Sequence, residues 1–340
     1  MCTRSGFQPD DPTYDSLREL INTVWDIKKT WSSRIVTPYL ISIRTESYSS
    51  EFSRRVFTLH TPAGDLEATY LFSLTGKPGI AETYYIKTRE DAEKYLSLPI
   101  REFSSDVSSF FEADRQVGER GIVEVSLGTN PAGYVVELMG AETFATLSVT
   151  DRDIIHALCE KRLQEIIAHL KNLLAAGVGP FFTMQGEEYI LPPLYSPRDF
   201  YDFNVRYDKP IIDLVHNGGG RIHIHCPGSI KKVFQGFLDM GVDVLYPVEP
   251  PPLGDITAEE AATLAGGKLC IEGNVPIAHL YEHTPEQIRT EVTALIKDAF
   301  RDGRGLIVSP TAAPYIRGGG LKCLPQYEAM TEVVLSSAVN

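Results

Sequence analysis

The chain has 340 residues, of which 43% are hydrophobic and 23% charged, and its 45 acidic against 32 basic side chains give a formal net charge of -13. This composition is ordinary for a globular protein with a sizeable core. The excess negative charge repels phosphate backbones and anionic lipid headgroups, which disfavours nucleic acid and membrane surfaces as partners. Residues 1–10 lack the cationic and apolar regions of an export signal, and no apolar run reaches the roughly 18 residues of a membrane helix. We therefore expect a cytoplasmic protein.

The first 120 residues predict an irregular part of the fold. Residues 34–43 have the composition of one strand, and residues 56–73 are typical of a hairpin because turn-forming residues interrupt them at 62–65. The five cysteines are scattered without close pairs, so neither a disulfide framework nor a metal knuckle is indicated. We expect Cys159 and Cys270 to lie in the core.

From residue 121 onward, short apolar runs alternate with helical segments. This alternation is typical of parallel strands joined by helices. The runs that predict strands cover residues 121–127, 180–185, 221–226, 242–248, 268–273 and 305–309. With residues 34–43 as a seventh strand and the eighth unassigned, the pattern predicts one α/β domain, a (β/α)8 TIM-type barrel. Residues 1–120 would form its N-terminal part with a hairpin excursion, and residues 121–340 its regular repeats.

The helices between these strands have recognisable starts. The longest prediction covers residues 151–176, where Thr150 can cap the helix and Asp153 stands three residues later, as in a capping box. Further helices are expected to start at Ser196, Thr257 and Thr284, near Ser229 and near Pro325, where a capping side chain or an early proline suits the first turn.

In such a barrel the loops that follow the strands build the site, so polar residues at the carboxyl ends of strands are the candidates for function. They are Glu187, Glu188, His223, His225, Glu249, Glu272, Asn274 and Ser309.

His223 and His225 are two residues apart on one strand, so both side chains point to the same face. Paired inward imidazoles suit metal or proton chemistry, whereas a hydrogen-bonded core histidine beside an unligated one is the alternative. Glu249 precedes three prolines that stiffen its loop, and it is either a site carboxylate or a solvated one. Glu187 and Glu188 alternate in direction, so at most one is expected to point inward.

A histidine with two carboxylates matches the donor types of a catalytic zinc site, which needs three protein ligands and an open position. The predicted metal ligands are His225, Glu249 and Glu187, with Glu188 as the substitute for Glu187. His223, Glu188 and Asn274 are the candidate catalytic residues. Asn274 follows Gly273, where a ligand could approach the backbone closely, although a plain tight turn is the alternative.

Residues 177–329 resemble the uroporphyrinogen decarboxylase superfamily, which includes the decarboxylases of haem synthesis and methyltransferases that serve corrinoid proteins. The resemblance implies the TIM-barrel fold. It is carried in order by residues 186–189, 196–200, 225–228, 241–243, 249–255, 273–275, 284–286 and 309–310.

The chain departs from both branches of the superfamily. It lacks the Arg-Gln-Ala-Gly-Arg segment of the decarboxylases within residues 1–50, and their carboxyl-terminal His-Gly motif is missing because the last histidine is His283. The methyltransferases have a His-x-Cys zinc motif with a distant second cysteine. His225 falls on its histidine, but Pro227 replaces the first cysteine and Ala312 or a neighbour the second, while Cys226 is one residue out of register.

The resemblance therefore implies a methyltransferase-like enzyme with an oxygen-rich zinc site, which moves a methyl group between a small methylated or methoxylated compound and a separate corrinoid protein. Zinc as a Lewis acid would suit the O-demethylation of an ether. A uroporphyrinogen-type decarboxylase and a non-catalytic binding protein on the same barrel are the alternatives. A homodimer is also expected.

Overall fold

The computed structural model describes residues 10–36, 39–76, 78–300 and 303–337. Within them, the main sheet contains the first strand and the later strands, and the strands between form two small sheets. They are β1 Ile27–Trp31, β2 Ile35–Val36, β3 Ile41–Ser47, β4 Phe52–Leu59, β5 Leu66–Ser73, β6 Ile80–Thr83, β7 Glu102–Phe103, β8 Gly121–Thr129, β9 Phe181–Gln185, β10 Arg221–His225, β11 Val244–Tyr246, β12 Cys270–Val275 and β13 Leu306–Pro310.

Seven of these strands form one parallel sheet in the order β1-β8-β9-β10-β11-β12-β13. The six strands predicted from residue 121 onward are all present in it, in chain order. Each neighbouring pair after β8 is joined through helices, as parallel pairing requires. The α/β class and its parallel sheet are thus confirmed.

The sheet curls so that its two ends approach each other. Lys28 lies on the edge strand β1, yet its Nζ is 2.8 Å from a carboxylate oxygen of Glu272 on β12, next to the opposite edge. Within the part of the chain that the structure describes, β1 and β13 do not pair, so the sheet is curled rather than closed. The seven-stranded sheet is TIM-like, and a closed eight-stranded barrel stays a prediction.

The assignment of residues 34–43 as a strand of the main sheet was wrong. That strand is β1, residues Ile27–Trp31, with the sequence Ile-Lys-Lys-Thr-Trp. Its two lysines interrupt the apolar pattern that is expected of a buried strand. Lys28 nevertheless points into the curl, where it pairs with Glu272 instead of being solvated. Residues 35–36 and 41–43 belong to the small sheets, and residues 37–38 lie outside the described part.

The N-terminal excursion is an antiparallel sheet, β3-β4-β5-β6, beside the two-stranded β2-β7 pair. The hairpin predicted over residues 56–73 is confirmed by β4 and β5, which pair from Phe52 with Ser73 to Leu59 with Leu66. The predicted interruption at residues 62–65 is its turn.

Helices cover the outer faces of the sheet and the loops above it. They are α1 Asp15–Val24, α2 Arg89–Leu96, α3 Ser108–Val117, α4 Pro131–Thr150, α5 Arg152–Ala175, α6 Pro197–Phe200, α7 Arg206–Asn217, α8 Phe234–Met240, α9 Ala258–Ala265, α10 His279–Glu282, α11 Pro285–Ala299 and α12 Gly320–Ser337. A short 3-10 turn, Glu187–Ile190, follows β9.

Three of the predicted helix starts form complete capping boxes, at Ser196, Thr257 and Thr284. The predicted cap at Thr150 was wrong, because that residue ends α4 and donates its hydroxyl to the carbonyl of Thr146. The start near Pro325 was also wrong, because Pro325 lies inside α12.

Buried apolar residues of the strands and the surrounding helices form the main core, and α4 and α5 share a second core with the N-terminal excursion. Cys159 is buried as expected, whereas Cys270 is only half-buried. None of the described helices combines the length and the apolar character needed to cross a membrane.

Candidate active site

The inside of the curled sheet holds a cavity of about 520 Å³, to which all seven strands contribute side chains. Strand alternation explains the lining, since residues two apart face the same side. Pairs at this spacing are Lys28 and Thr30, Glu124 and Ser126, Thr183 and Gln185, and His223 and His225; Tyr246, Glu272 and Ser309 complete the wall. The structure thus places His223 and His225 together on the inner face. A volume of this size is typical of small-molecule sites.

An ionic network crosses this cavity. Lys28 Nζ donates to both carboxylate oxygens of Glu272, at 2.9 and 2.8 Å. His223 Nδ1 lies 3.0 Å from Glu124 Oε1, and its Nε2 lies 3.4 Å from Glu272 Oε2. When His223 is protonated, the network contains two cations, Lys28 and His223. They alternate with two anions, Glu272 and Glu124.

The network favours the protonated form of His223. Burial alone would lower the pKa of the imidazole, but the adjacent carboxylates of Glu124 and Glu272 outweigh this effect and raise the pKa above its usual value of 6.5. In Glu272, burial opposes ionisation, yet the adjacent His223 and the charge of Lys28 lower the pKa to about 2. The site thus holds a buried histidine between two carboxylates that favour its protonated form.

One donor of this imidazolium is not engaged. His223 Nε2 is buried and has no hydrogen-bond partner among the described residues, because its 3.4 Å approach to Glu272 lacks hydrogen-bond geometry. Its Nδ1 side is held by Glu124, and Thr183 Oγ1 is 3.3 Å away. A buried polar atom without a partner is costly, so Nε2 is the atom from which a bound ligand would gain most.

The remaining candidates occupy different places. Glu249 Oε2 accepts a hydrogen bond from the backbone of Gly228 at 2.9 Å, and Glu188 Oε2 accepts one from Gly186 at 3.0 Å. Burial raises the pKa of both carboxyls. Asn274 is half-buried on β12 opposite Ser309 of β13. None of Glu188, Glu249 and Asn274 lines the cavity, whereas Ser309 does.

Glu187 lies in a separate buried cluster with Asn130, Asn204 and Asp208, all four fully buried. Asn130 Nδ2 donates to Asp208 at 2.9 Å, and Asn204 Nδ2 donates to the Glu187 carbonyl at 3.0 Å. Burial, followed by the neighbouring charge of Asp208, raises the pKa of Glu187 well above its usual range. Burial also raises the pKa of Asp208.

The loop after β9 has little freedom around this cluster. Gly186 has φ +113°, and a Cβ there would lie 2.7 Å from Asn130 Oδ1. A side chain would therefore strain the backbone and displace the asparagine that holds Asp208. This turn places Glu187 among the buried amides instead of in the cavity.

The proposed zinc ligands do not meet. Among the described residues, the ligand atoms of His225, Glu249 and Glu187 do not all lie within 4.8 Å of one another. A group that does meet this limit is formed by His279, His283 and Glu291. His225 lines the cavity, Glu187 is buried with Asp208, and Glu249 binds Gly228. The arrangement therefore does not fit a zinc ion on these three residues.

Sequence reasoning missed Lys28, and it did not single out Glu124 at all. Glu124 stands in the middle of an apolar run, and a lone acidic residue inside a buried strand is itself a signal, because burying an unpaired charge is expensive. Lys28 was hidden by the misplacement of the first strand.

We predict that Glu187→Gln weakens the pH dependence of stability. The raised pKa values mean that folding takes up protons, so wild-type stability falls as pH rises from about 4.5 through the raised values. Glutamine cannot ionise, so the variant should lose less stability between pH 5 and 8, roughly the range of usual optimum stability. Urea unfolding at a series of pH values measures this. An equally steep decline in the variant would show that Glu187 takes up no proton on folding.

Comparison with known proteins agrees with the fold. The family model described as uroporphyrinogen decarboxylase (URO-D) matches residues 58–313. Uroporphyrinogen decarboxylases of Pseudoalteromonas atlantica and Xanthomonas oryzae pv. oryzae are 24% and 26% identical over 51% of this chain. The matches span 48% of each of those proteins, so the chain corresponds to about half the length of these curated relatives. A methyltransferase from Methanosarcina mazei superposes with a TM-score of 0.53 at 14% identity, covering 77% of this chain and 72% of that one.

Proposed function

The chain belongs to the uroporphyrinogen decarboxylase family, and we propose that it is a methyltransferase-like enzyme that takes a methyl group from a small methylated polar compound bound inside the curled sheet. The acceptor would be the cobalt of a separate corrinoid protein. The observation that carries the proposal is the buried, charged His223, whose Nε2 lacks a hydrogen-bond partner among the described residues while the residue lines the cavity.

His223 would act as the proton donor. When the methyl group leaves its oxygen, nitrogen or sulfur, that atom gains an electron pair and needs a proton. His223 Nε2–H would supply this proton, and the neighbouring Glu124 and Glu272 favour the protonated form beforehand. Lys28 holds Glu272 in place through two hydrogen bonds.

The acceptor supplies the nucleophile that takes the methyl group. A cavity of about 520 Å³ suits a small substrate, so the corrin would remain on its own protein at the mouth. Because the predicted zinc ligands do not meet, none of these steps uses a zinc ion held by this chain.

The charge of the cavity argues against uroporphyrinogen as the substrate. Its only cationic side chains, among the described residues that line it, are Lys28 and the two histidines, and Lys28 already neutralises Glu272. A substrate with many carboxylates needs fork-like arginine donors. A small neutral or singly charged compound fits better.

Decarboxylation of a small acid is the second candidate, favoured by the names of both curated relatives. The same imidazolium would then protonate the carbanion left by loss of carbon dioxide. In that reaction a carbon–carbon bond breaks and a carbon–hydrogen bond forms, with no acceptor protein.

The test is an assay of the full chain with free cob(I)alamin as methyl acceptor and a panel of O-, N- and S-methylated small molecules. We expect methyl transfer from at least one class, decreasing as pH rises through the raised pKa of His223. In parallel, small acids are assayed for release of carbon dioxide. Release of carbon dioxide without methyl transfer would select the decarboxylase, and neither activity would indicate the binding protein.

A further inference from the structure

We propose that His279, His283 and Glu291 form a binding site for a divalent transition-metal ion, with zinc as the best fit. The three residues lie outside the cavity described above, and this inference does not depend on the proposed methyl transfer. Within the described part of the chain, each of these three side chains offers a ligand atom, and the three atoms all lie within 4.8 Å of one another.

Local structure brings the two imidazoles together. His279 is the first residue of α10 and His283 follows its last residue, so the two are four apart and lie on the same side of the helical turn. Their rings stack with centroids 3.8 Å apart at an interplanar angle of 21°.

Both rings face one carboxylate. Glu291 stands on α11, and its oxygens lie 3.0 Å from His279 Nδ1 and 3.7 Å from His283 Nδ1. Zinc bonds of about 2.0–2.2 Å place ligand atoms roughly 3.4 Å apart around a tetrahedral ion. The two observed separations lie on either side of this value, and all the ligand atoms lie within 4.8 Å of one another, so side-chain rotation would bring them around one ion.

An unpartnered nitrogen of His283 is a second observation that points to a ligand. Its Nδ1 is buried and has no hydrogen-bond partner within the described part of the chain, although it points toward Glu291. Its backbone carbonyl is held by the side chain of Gln326 at 2.8 Å, which fixes the start of the loop to α11. A metal ion would satisfy this nitrogen and the carboxylate together.

The donor set and exposure favour zinc. Two imidazoles and one carboxylate are a common zinc set, in which water completes the tetrahedron. The three side chains are 28–33% exposed, so water can reach the fourth position. Imidazole binds metal in its neutral form, so the bound set would carry one negative charge, which suits a divalent cation.

Such an ion would fasten α10 to α11, and α10 directly follows the loop from β12. In this loop, Ile277 N donates to Thr311 Oγ1 at 3.2 Å, and Thr311 lines the cavity. The inferred role is therefore structural, stabilising one wall of the cavity from outside.

The experiment is titration of the chelator-treated full chain with zinc chloride in a calorimeter. We expect one site in the wild type, a rise in melting temperature with zinc concentration, and binding weakened by at least about tenfold in His283→Gln and Glu291→Gln, since changes beside metal ligands alone cost that much. His60→Gln is the matched control, because His60 also pairs with a carboxylate, Asp65, at 2.8 Å but lies outside the cluster. It should bind zinc like the wild type.

Chemical modification of the wild type tests the site without any variant. Zinc should protect His279 and His283, but not His60, from diethyl pyrocarbonate, as read from peptide masses. Protection of His225 instead, no zinc binding by the wild type, or unweakened binding in His283→Gln and Glu291→Gln would each overturn the proposal.

Discussion

Glu272→Gln is expected to lower the free energy of unfolding by about 3–5 kcal/mol at pH 7, the usual cost of removing one partner of a buried ion pair. The side chain of Glu272 is 3% exposed and that of Lys28 is 13% exposed. Glutamine leaves Lys28 without its carboxylate partner, while His223 keeps only Glu124. Urea unfolding measures the loss. A change below about 1 kcal/mol, as found for surface pairs, would mean that the network contributes little to stability.

The loss of stability in Glu272→Gln should depend on pH in a definite direction. The folded pKa of Glu272 is about 2 against a usual 4.5, so its stabilisation is present above pH 4.5 and is lost as pH falls toward 2. The difference between the variant and the wild type should therefore shrink over that range. Lys28→Met combined with Glu272→Gln should recover part of the loss, since the two effects are coupled. Glu260→Gln, which alters an exposed pair with Lys231, is the control and should change stability little.

His223→Gln is expected to reduce the proposed methyl transfer by about 10²–10⁴-fold, the usual contribution of a positioned proton donor. Glutamine can hydrogen-bond to Glu124 but cannot deliver a proton. The loss should appear in kcat more than in KM, because the proton is needed in the transition state. Substrates whose leaving group needs no proton should be much less affected.

His225→Gln is the matched variant for this prediction. His225 lies on the same face of β10, two residues nearer the carboxyl end, with its ring 5.3 Å from that of Tyr246. A similar loss in both variants would show that the two imidazoles work together. An unchanged rate in His223→Gln would remove His223 from the chemistry.

The later strands could be predicted because their apolar runs are continuous and their helices carry capping residues. Strand β10 and the capping box at Thr284 are examples. The first strand could not, because Ile27–Trp31 contains two lysines and its pairing with β8 spans a long insertion. Its character depends on Glu272, which lies 244 residues away from Lys28. Local pattern contains no information on such a contact.

The metal prediction shows the same limit. Topology places His225, Glu249 and Glu187 after neighbouring strands, but it does not say which way each side chain turns in its loop. The 3-10 turn after β9 buries Glu187 with Asp208, and the Gly228 backbone binds Glu249. His279, His283 and Glu291 were not considered, since their meeting depends on how α10 packs against α11.

By itself the sequence determined the α/β class, the parallel order of the later strands and the shared face of His223 and His225, because hydrophobic runs, capping residues and the two-residue period of a strand are local properties. Only the tertiary structure decided which charges meet inside the curl. Ion pairing of His223 with Glu124 and of Lys28 with Glu272 depends on the curvature that brings β1, β8, β10 and β12 face to face. Curvature is a property of the whole sheet, and no single strand encodes it.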